Sequence, residues 1–224
     1  RSPQPPYTTS TLQQDASRRL GINGRRTMSL AQKLYEEGFI TYHRTDSVAI
    51  ALSAQNSIRE FVQKEYGDKY IPGKPRFYAA RQKLAQEAHE GIRPTAVGQV
   101  SSIKYQVLSM SGEQGWRLYE LIWKRAVASQ MSDAIIESTT VIADSQSRAH
   151  LPGVPQAQHH LEGGNSYRFK ANGSVLIFDG FLKVNPLGLQ DNRLPKFSAK
   201  QNLDLVNVEK EFHETPPPPR YNDA

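Results

Sequence analysis

The stretch Gln114–Ile142, QGWRLYELIWKRAVASQMSDAIIESTTVI, changes periodicity part-way along. Up to Met131 its apolar residues Leu118, Leu121, Ile122 and Val127 recur at helical rather than alternating spacing. From Ala134 the composition turns β-branched, and Ser138-Thr139-Thr140-Val141-Ile142 reads as a strand. A helix that stops near Asp133 and a strand that starts just after it divide the chain in two. The part before should be helical and the part after β-rich, which gives an α+β fold of two domains, residues 1–133 and 134–224.

Working back toward the start, Ser10-Thr11-Leu12-Gln13 has the form of a capping box, with Ser10 as the cap and Gln13 reaching back. A helix to Leu20 follows, carrying Leu12, Ala16 and Leu20, and Gly21-Ile22-Asn23-Gly24 breaks it. A second helix is expected from near Thr27 to Glu37, with Leu30, Ala31, Leu34 and Tyr35 apolar and Gly38 at its end. Two short helices about a glycine-containing turn allow a helix-turn-helix. Ser53 can cap a third helix that bears Ile58, Phe61, Val62 and Tyr66 and stops at Gly67. Between the second and third, Phe39-Ile40-Thr41-Tyr42 reads as a short strand.

Working forward, Tyr167-Arg168-Phe169, Val175-Leu176-Ile177-Phe178 and Leu203-Asp204-Leu205-Val206 read as further strands. Ala171-Asn172-Gly173-Ser174 is expected to turn a hairpin. Residues 145–165, rich in Gly, Pro, Gln and His, read as a mobile loop, and Pro216–Pro219 as an extended polyproline exit. The opening RSPQPP has linker composition. The chain lacks an initiating Met and stops without a terminating feature, so it reads as an internal piece of a longer protein.

Composition narrows the function. Cysteine is absent, which excludes disulfides and thiolate zinc sites. A hydrophobic share of 38% and a charged share of 22% are those of a water-soluble globular protein, with no apolar run able to span a bilayer, and point to the cytoplasm. The positive charge is uneven: residues 1–133 hold 19 Lys and Arg against 12 Asp and Glu, and residues 134–224 hold 9 against 10. A basic first part suits a polyanion.

The reactive side chains concentrate in Gly38-Phe39-Ile40-Thr41-Tyr42-His43-Arg44-Thr45-Asp46-Ser47. If this segment is extended, Tyr42, Arg44 and Asp46 share one face, with Thr41, His43 and Thr45 on the other. Tyrosine is a poor nucleophile at neutral pH, whereas a neighbouring guanidinium favours the phenolate and can hold a phosphate oxygen. Asp46 could fix the Arg44 fork. Gln32 and Glu36 lie four apart on one helix face. His89 could be cationic near a phosphate, or assist proton traffic. His159 and His160, in the loop, make no metal set.

Residues 38–47 closely resemble the active-site tyrosine motif of type IA DNA topoisomerases, Gly-x-Ile-Thr-Tyr-x-Arg-Thr-Asp-Ser. Further stretches match the same family in order: residues 7–14 (YTTSTLQQ), 31–36 (AQKLYE), 86–95 (QEAHEGIRPT), 121–123 (LIW), 178–181 (FDGF) and 217–221 (PPPRY). Gly91 stands where the family usually has Ala, and residues 145–165 look longer than the family's connection. The resemblance implies a CAP-like helical domain with a helix-turn-helix, followed by part of a β-rich arch.

The resemblance also implies chemistry. Tyr42 would be the nucleophile that forms a 5′-phosphotyrosine link, and Arg44 would contact the scissile phosphate. His89 and Arg93, with Thr41 and Asp46, would face DNA, and Gln32 and Glu36 would support the tyrosine. The parent enzyme would relax negatively supercoiled DNA by cutting, passing and resealing one strand. Its partners would be DNA, mainly single-stranded, and the remaining domains of the same enzyme. Mg²⁺ would be held by a Toprim domain outside this chain, so residues 1–224 alone should be inactive. The competing reading is a helix-turn-helix module that binds DNA without chemistry.

Overall fold

A computed structural model describes residues 1–78, 89–146, 166–186, 188, 191–204, 206, 207, 209 and 211–217. In chain order its elements are α1 (Thr9–Leu20), α2 (Gly24–Glu36), α3 (Leu52–Tyr66), α4 (Val100–Ser129), β1 (Ile135–Gln146) and β2 (Ser166–Phe178). Short 3-10 turns occupy Asp68–Tyr70 and Gly180–Lys183. The fold is mixed α+β, four helices with a two-stranded antiparallel sheet.

The chain forms two compact units. One comprises residues 1–135 with 178–189 and the other residues 136–177 with 190–220 among their described parts. The first unit thus takes back a segment after β2. There Gly180 adopts a positive φ of 48°, and Phe181, Leu182 and Val184 are buried beside it. Phe181 N–H bonds the Ser132 carbonyl at 2.9 Å, and the Tyr70 hydroxyl donates to Asp179 Oδ1 at 2.8 Å.

The core of the first unit is α4. Beyond a break at Gly112 (φ 64°) this helix buries Trp116, Leu118, Tyr119, Leu121, Ile122, Trp123, Ala126 and Val127 and leaves only a narrow polar stripe of Arg117, Glu120 and Lys124, as suits a central helix. α1 and α2 pack on it. The part beyond Gly112 is the helix expected from about Gln114; the helical stretch from Val100 that precedes the break, burying Ile103 and Val107 amid polar residues, was not expected. Sequence periodicity has little to register there.

Three local expectations are corrected. α1 is capped by Thr8, not Ser10: Thr11 N–H bonds Thr8 Oγ1 and Thr8 N–H bonds Thr11 Oγ1, so the capping box sits two residues earlier, with Thr11 in the place given to Gln13. α3 begins at Leu52 with no side-chain cap, so Ser53 lies inside it. Residues 171–174 do not turn; β2 runs through them. A Cβ on Gly173 would lie 2.7 Å from the Asn192 carbonyl oxygen and 2.8 Å from Leu194. The glycine admits a crossing backbone rather than a hairpin.

In the second unit, β1 and β2 form the sheet, and Ser174 bridges Asn192 in both directions at 2.8 Å. Arg168 grips Asp144 across the strands at 2.7 Å. Ile142, Phe169 and Ile177 stay more than half exposed, and every buried large hydrophobic side chain among the described residues belongs to the first unit. Two strands alone bury too little to be stable in water. Leu203, Asp204 and Val206 form no strand. The expected loop 145–165 lies outside the described residues from 147 onward, as do His159, His160 and Pro218–Pro219 of the polyproline exit.

Candidate active site

The tyrosine segment is not a regular strand. Only Ile40 pairs, with Pro94, and the chain then follows a course fixed by side chains. It leaves α2 through a closure at Gly38, whose φ of 74° is left-handed. Gly38 N–H bonds the Tyr35 carbonyl and Phe39 N–H the Leu34 carbonyl, both at 2.9 Å, which satisfies the last carbonyls of the helix and sets the chain's exit direction.

Two threonines hold the segment on either side of Tyr42. On one side Thr41 N–H bonds the Arg93 carbonyl at 2.9 Å, its hydroxyl donates to the Gly91 carbonyl at 2.9 Å, and Arg93 N–H returns to that hydroxyl at 3.0 Å. On the other, Thr9 at the start of α1 donates from its hydroxyl to the His43 carbonyl at 2.9 Å. The same oxygen accepts Thr45 N–H at 2.9 Å, and Thr9 N–H bonds the Thr45 carbonyl at 2.9 Å. Residues 91–95 in turn lie between the tyrosine segment and Tyr7, whose carbonyl accepts Ile92 N–H at 2.8 Å. Tyr42 is therefore fixed from both ends through its backbone while its side chain stays unclamped.

The exposures alternate. His43, Thr45 and Ser47 are buried, Arg44 and Asp46 exposed, and Tyr42 half-buried. Tyr42, Arg44 and Asp46 line one open groove of about 510 Å³, together with Thr8, Thr9, Ser10 and Gln13 of the α1 terminus, Thr45 and His89. The Tyr42 ring meets three others: Tyr35 edge-on at 5.3 Å, His43 at 5.4 Å and His89, tilted, at 5.2 Å between centroids. Among the described residues its hydroxyl has no hydrogen-bond partner, and Tyr42 is part of the groove's lining.

The remaining sequence candidates fall into two groups. Arg44, Asp46 and His89 are exposed in the groove, though no ion pair within 4.0 Å joins Arg44 to Asp46, so the expected bracing of the arginine fork is absent. Arg93 is turned inward: Nε and Nη2 hold Glu90 at 2.6 and 3.2 Å, and Nη1 donates to the Pro94 carbonyl at 3.0 Å. Burial raises the Glu90 carboxyl, but the Arg93 bonds and the Ala51 N–H outweigh it and leave it below the ordinary carboxylate range. Thr41 is equally committed to backbone. Gln32 donates to Glu36 at 2.6 Å on α2, beside the Tyr35 and His43 side of the cluster.

Gly91, which stands where the family usually has Ala, is tied into the chain around it. Its N–H bonds the Ala49 carbonyl at 2.8 Å, and a Cβ there would sit 3.0 Å from Pro6. The groove's α1 wall and the Thr9 anchor were not expected from the sequence, although residues 7–14 carried part of the family pattern.

The profile of the DNA topoisomerase family matches residues 1–224. DNA topoisomerase 1 of Xylella fastidiosa is 41% identical over 243 residues, covering all of this chain and 27% of the relative. The chain belongs to the type IA DNA topoisomerases. The enzyme of that name from Rickettsia bellii is 38% identical over 238 residues, and that of Mycobacterium leprae 41% over 234, covering 27% and 23% of those proteins. Full-length topoisomerase I of Thermotoga maritima superposes with a TM-score of 0.65 at 31% identity, over 88% of this chain and 29% of that one. The chain thus spans about a quarter of the topoisomerases it resembles. Among its described residues no helix is long and apolar enough to cross a membrane, and no group of three or more His, Asp or Glu is placed to hold a metal ion.

Proposed function

We propose that this chain supplies the nucleophile of a type IA topoisomerase, and that Tyr42 is that nucleophile. The observation that carries the reading is the place of Tyr42, whose hydroxyl has no hydrogen-bond partner among the described residues, on the wall of an open groove shared with Arg44 and His89. The Tyr42 oxygen attacks the phosphorus of one DNA strand. A Tyr–O–P bond forms, the P–O3′ bond breaks, and the 3′-hydroxyl leaves with a proton. The exchange conserves a phosphodiester, so the reverse attack by the 3′-hydroxyl reseals the strand.

Arg44 holds non-bridging oxygens of the scissile phosphate and stabilises the charge that builds on them. His89 contacts the backbone beside it, and Asp46 lines the approach. Thr41 and Arg93 act from behind, by fixing the backbone on which Tyr42 stands. The open groove suits a single strand better than a duplex, and the basic charge of residues 1–133 draws it in. We read the first unit as the CAP-like domain, with α1 and α2 as its helix-turn-helix, and the second as part of the arch.

The groove does not fit Mg²⁺. A hard cation takes several oxygen ligands, and Asp46 is its only lining carboxylate among the described residues. No step here runs through a metal. The Mg²⁺ site of the parent enzyme belongs to a Toprim domain outside residues 1–224, and the chain alone is expected to form no covalent product.

The test is the polarity of the covalent intermediate. In the full-length enzyme carrying this chain, a single-stranded oligonucleotide labelled on the 3′ side of the cut should stay with the protein after denaturation, and a 5′ label should not. Adding a separately expressed Toprim piece with Mg²⁺ to residues 1–224 should restore the same product. A covalent product joined through a 3′-phosphate would overturn the reading, and DNA binding without any adduct would favour the non-catalytic helix-turn-helix module.

The anchors make their own prediction. Thr9→Val removes the hydroxyl that serves the His43 carbonyl and Thr45 N–H, leaving a buried donor unmade at about 1–3 kcal/mol. With the backbone beside Tyr42 loosened, single-turnover cleavage should fall about 10- to 100-fold while DNA affinity changes little. Equal rates for the two proteins would remove Thr9 from the site.

A further inference from the structure

His43 stands next to the nucleophile and takes no part in the mechanism above. The residue is 1% exposed, and both ring nitrogens are buried with no hydrogen-bond partner among the described residues. The imidazole lies against Tyr42 at 5.4 Å and Tyr35 at 5.7 Å, so it forms part of the surface on which the Tyr42 ring rests. Buried imidazoles ordinarily satisfy at least one nitrogen. This one satisfies neither, while its backbone carbonyl is held by Thr9. The ring therefore serves as an aromatic wall, and its polar edge is latent.

We infer that His43 is a positioning residue for Tyr42, seating the nucleophile while its ring is neutral and releasing it when the ring becomes charged. The inference rests on the reading of Tyr42 as the nucleophile. An imidazolium must donate from both nitrogens, and its present cavity offers neither an acceptor. The groups that face it are few. From its own segment come the phenol of Tyr42 and the Arg44 guanidinium; from α2 come the phenol of Tyr35 and the Glu36 carboxylate; from α1, at its backbone, comes the uncharged Thr9. Burial and, after it, the positive charge of Arg44 push the imidazole below its ordinary value, and Glu36 opposes them.

Once protonated, the ring gains by leaving the wall toward Glu36, the carboxylate whose charge favours the imidazolium and which now accepts from Gln32. Tyr42 then loses one of its three ring neighbours and its fixed aim. The expectation is an acid limb in strand cleavage that starts below the ordinary histidine value of about 6.5 and falls about tenfold per pH unit beneath the midpoint, as a single proton requires.

The test compares the full-length enzyme with its His43→Met variant, Met being apolar, of similar length and able to fill an irregular gap. Single-turnover adduct formation is measured from about pH 5 to pH 8 across the range where histidine changes charge. Wild type should show this limb and His43→Met should lack it, any shallower contribution of His89 being common to both. Coincident acid limbs would overturn the inference. In parallel, wild-type enzyme labelled at histidine and tyrosine is titrated by NMR. The Tyr42 ring signals should move with the His43 titration, and Tyr42 signals that ignore it would overturn the inference even if the variant does not fold. Tyr42→Phe separates the two readings: an adduct that persists there removes the nucleophile assignment, whereas the NMR coupling of the two rings tests His43 alone.

Discussion

The Tyr42→Phe enzyme should bind single-stranded DNA as the wild type does and form no covalent adduct. The substitution removes one oxygen and keeps the ring, so the contacts with Tyr35, His43 and His89 survive. Among the described residues that oxygen has no hydrogen-bond partner, so its loss leaves no buried donor or acceptor unmatched, and stability should stay within about 0.5 kcal/mol. Chemistry fares differently. If Tyr42 is the nucleophile, as proposed, the divided pathway loses its first step, and cleavage should drop by more than about 10⁴-fold. Denaturing gels of labelled oligonucleotide read the adduct, and filter binding reads affinity. An adduct at a rate near that of wild type would place the nucleophile elsewhere in the enzyme.

How far the site could be read in advance depends on what each residue bonds to. Tyr42, Arg44 and Asp46 reach a common groove because alternation over a short extended segment is a local property, and Thr45 and His43 are buried for the same reason. The α2 terminus was equally local, since Gly38 alone supplies the left-handed residue. Thr9 was not legible: it acts on residues 43 and 45 from more than thirty positions away, and nothing in its own neighbourhood marks it. Arg93 misled for a related reason. Its type suggested a phosphate partner, but Glu90, three residues earlier, claims the guanidinium. The same distinction runs through the fold. The helices of the first unit carried their pattern in sequence, whereas Gly173 resembled a turn because a glycine that admits a neighbouring backbone is written the same way as one that bends its own.

Asp15→Ala should lower the stability of the first unit by about 3–5 kcal/mol, the cost of leaving a buried ion-pair partner alone. Asp15 Oδ2 accepts the Tyr7 hydroxyl at 2.7 Å and lies 3.5 Å from Arg125 Nη1, and the Arg125 guanidinium also covers the Tyr7 ring at 4.6 Å. Tyr7 is fully buried and Arg125 nearly so. Burial works against the charge on Arg125, with Tyr7 and Asp15 the groups that favour it, and burial raises the Tyr7 phenol well above its ordinary value. Removing the carboxylate strands both. Arg125 Nε keeps the Pro5 carbonyl at 2.8 Å, which limits the damage but supplies no anion. For a unit of this size the loss corresponds to a melting shift on the order of 10 °C. Arg18→Ala is the contrast: its bond to the same aspartate is exposed, and surface pairs contribute little, so it should shift melting by no more than about 2 °C. The damage should also reach the site, because Tyr7 carries Ile92, residues 91–95 carry Thr41, and Thr41 holds the backbone before Tyr42. Cleavage by Asp15→Ala at a temperature where it remains folded should therefore fall further than cleavage by Arg18→Ala. Equal melting temperatures for the two variants would mean that the Tyr7–Asp15–Arg125 cluster does not hold this scaffold together.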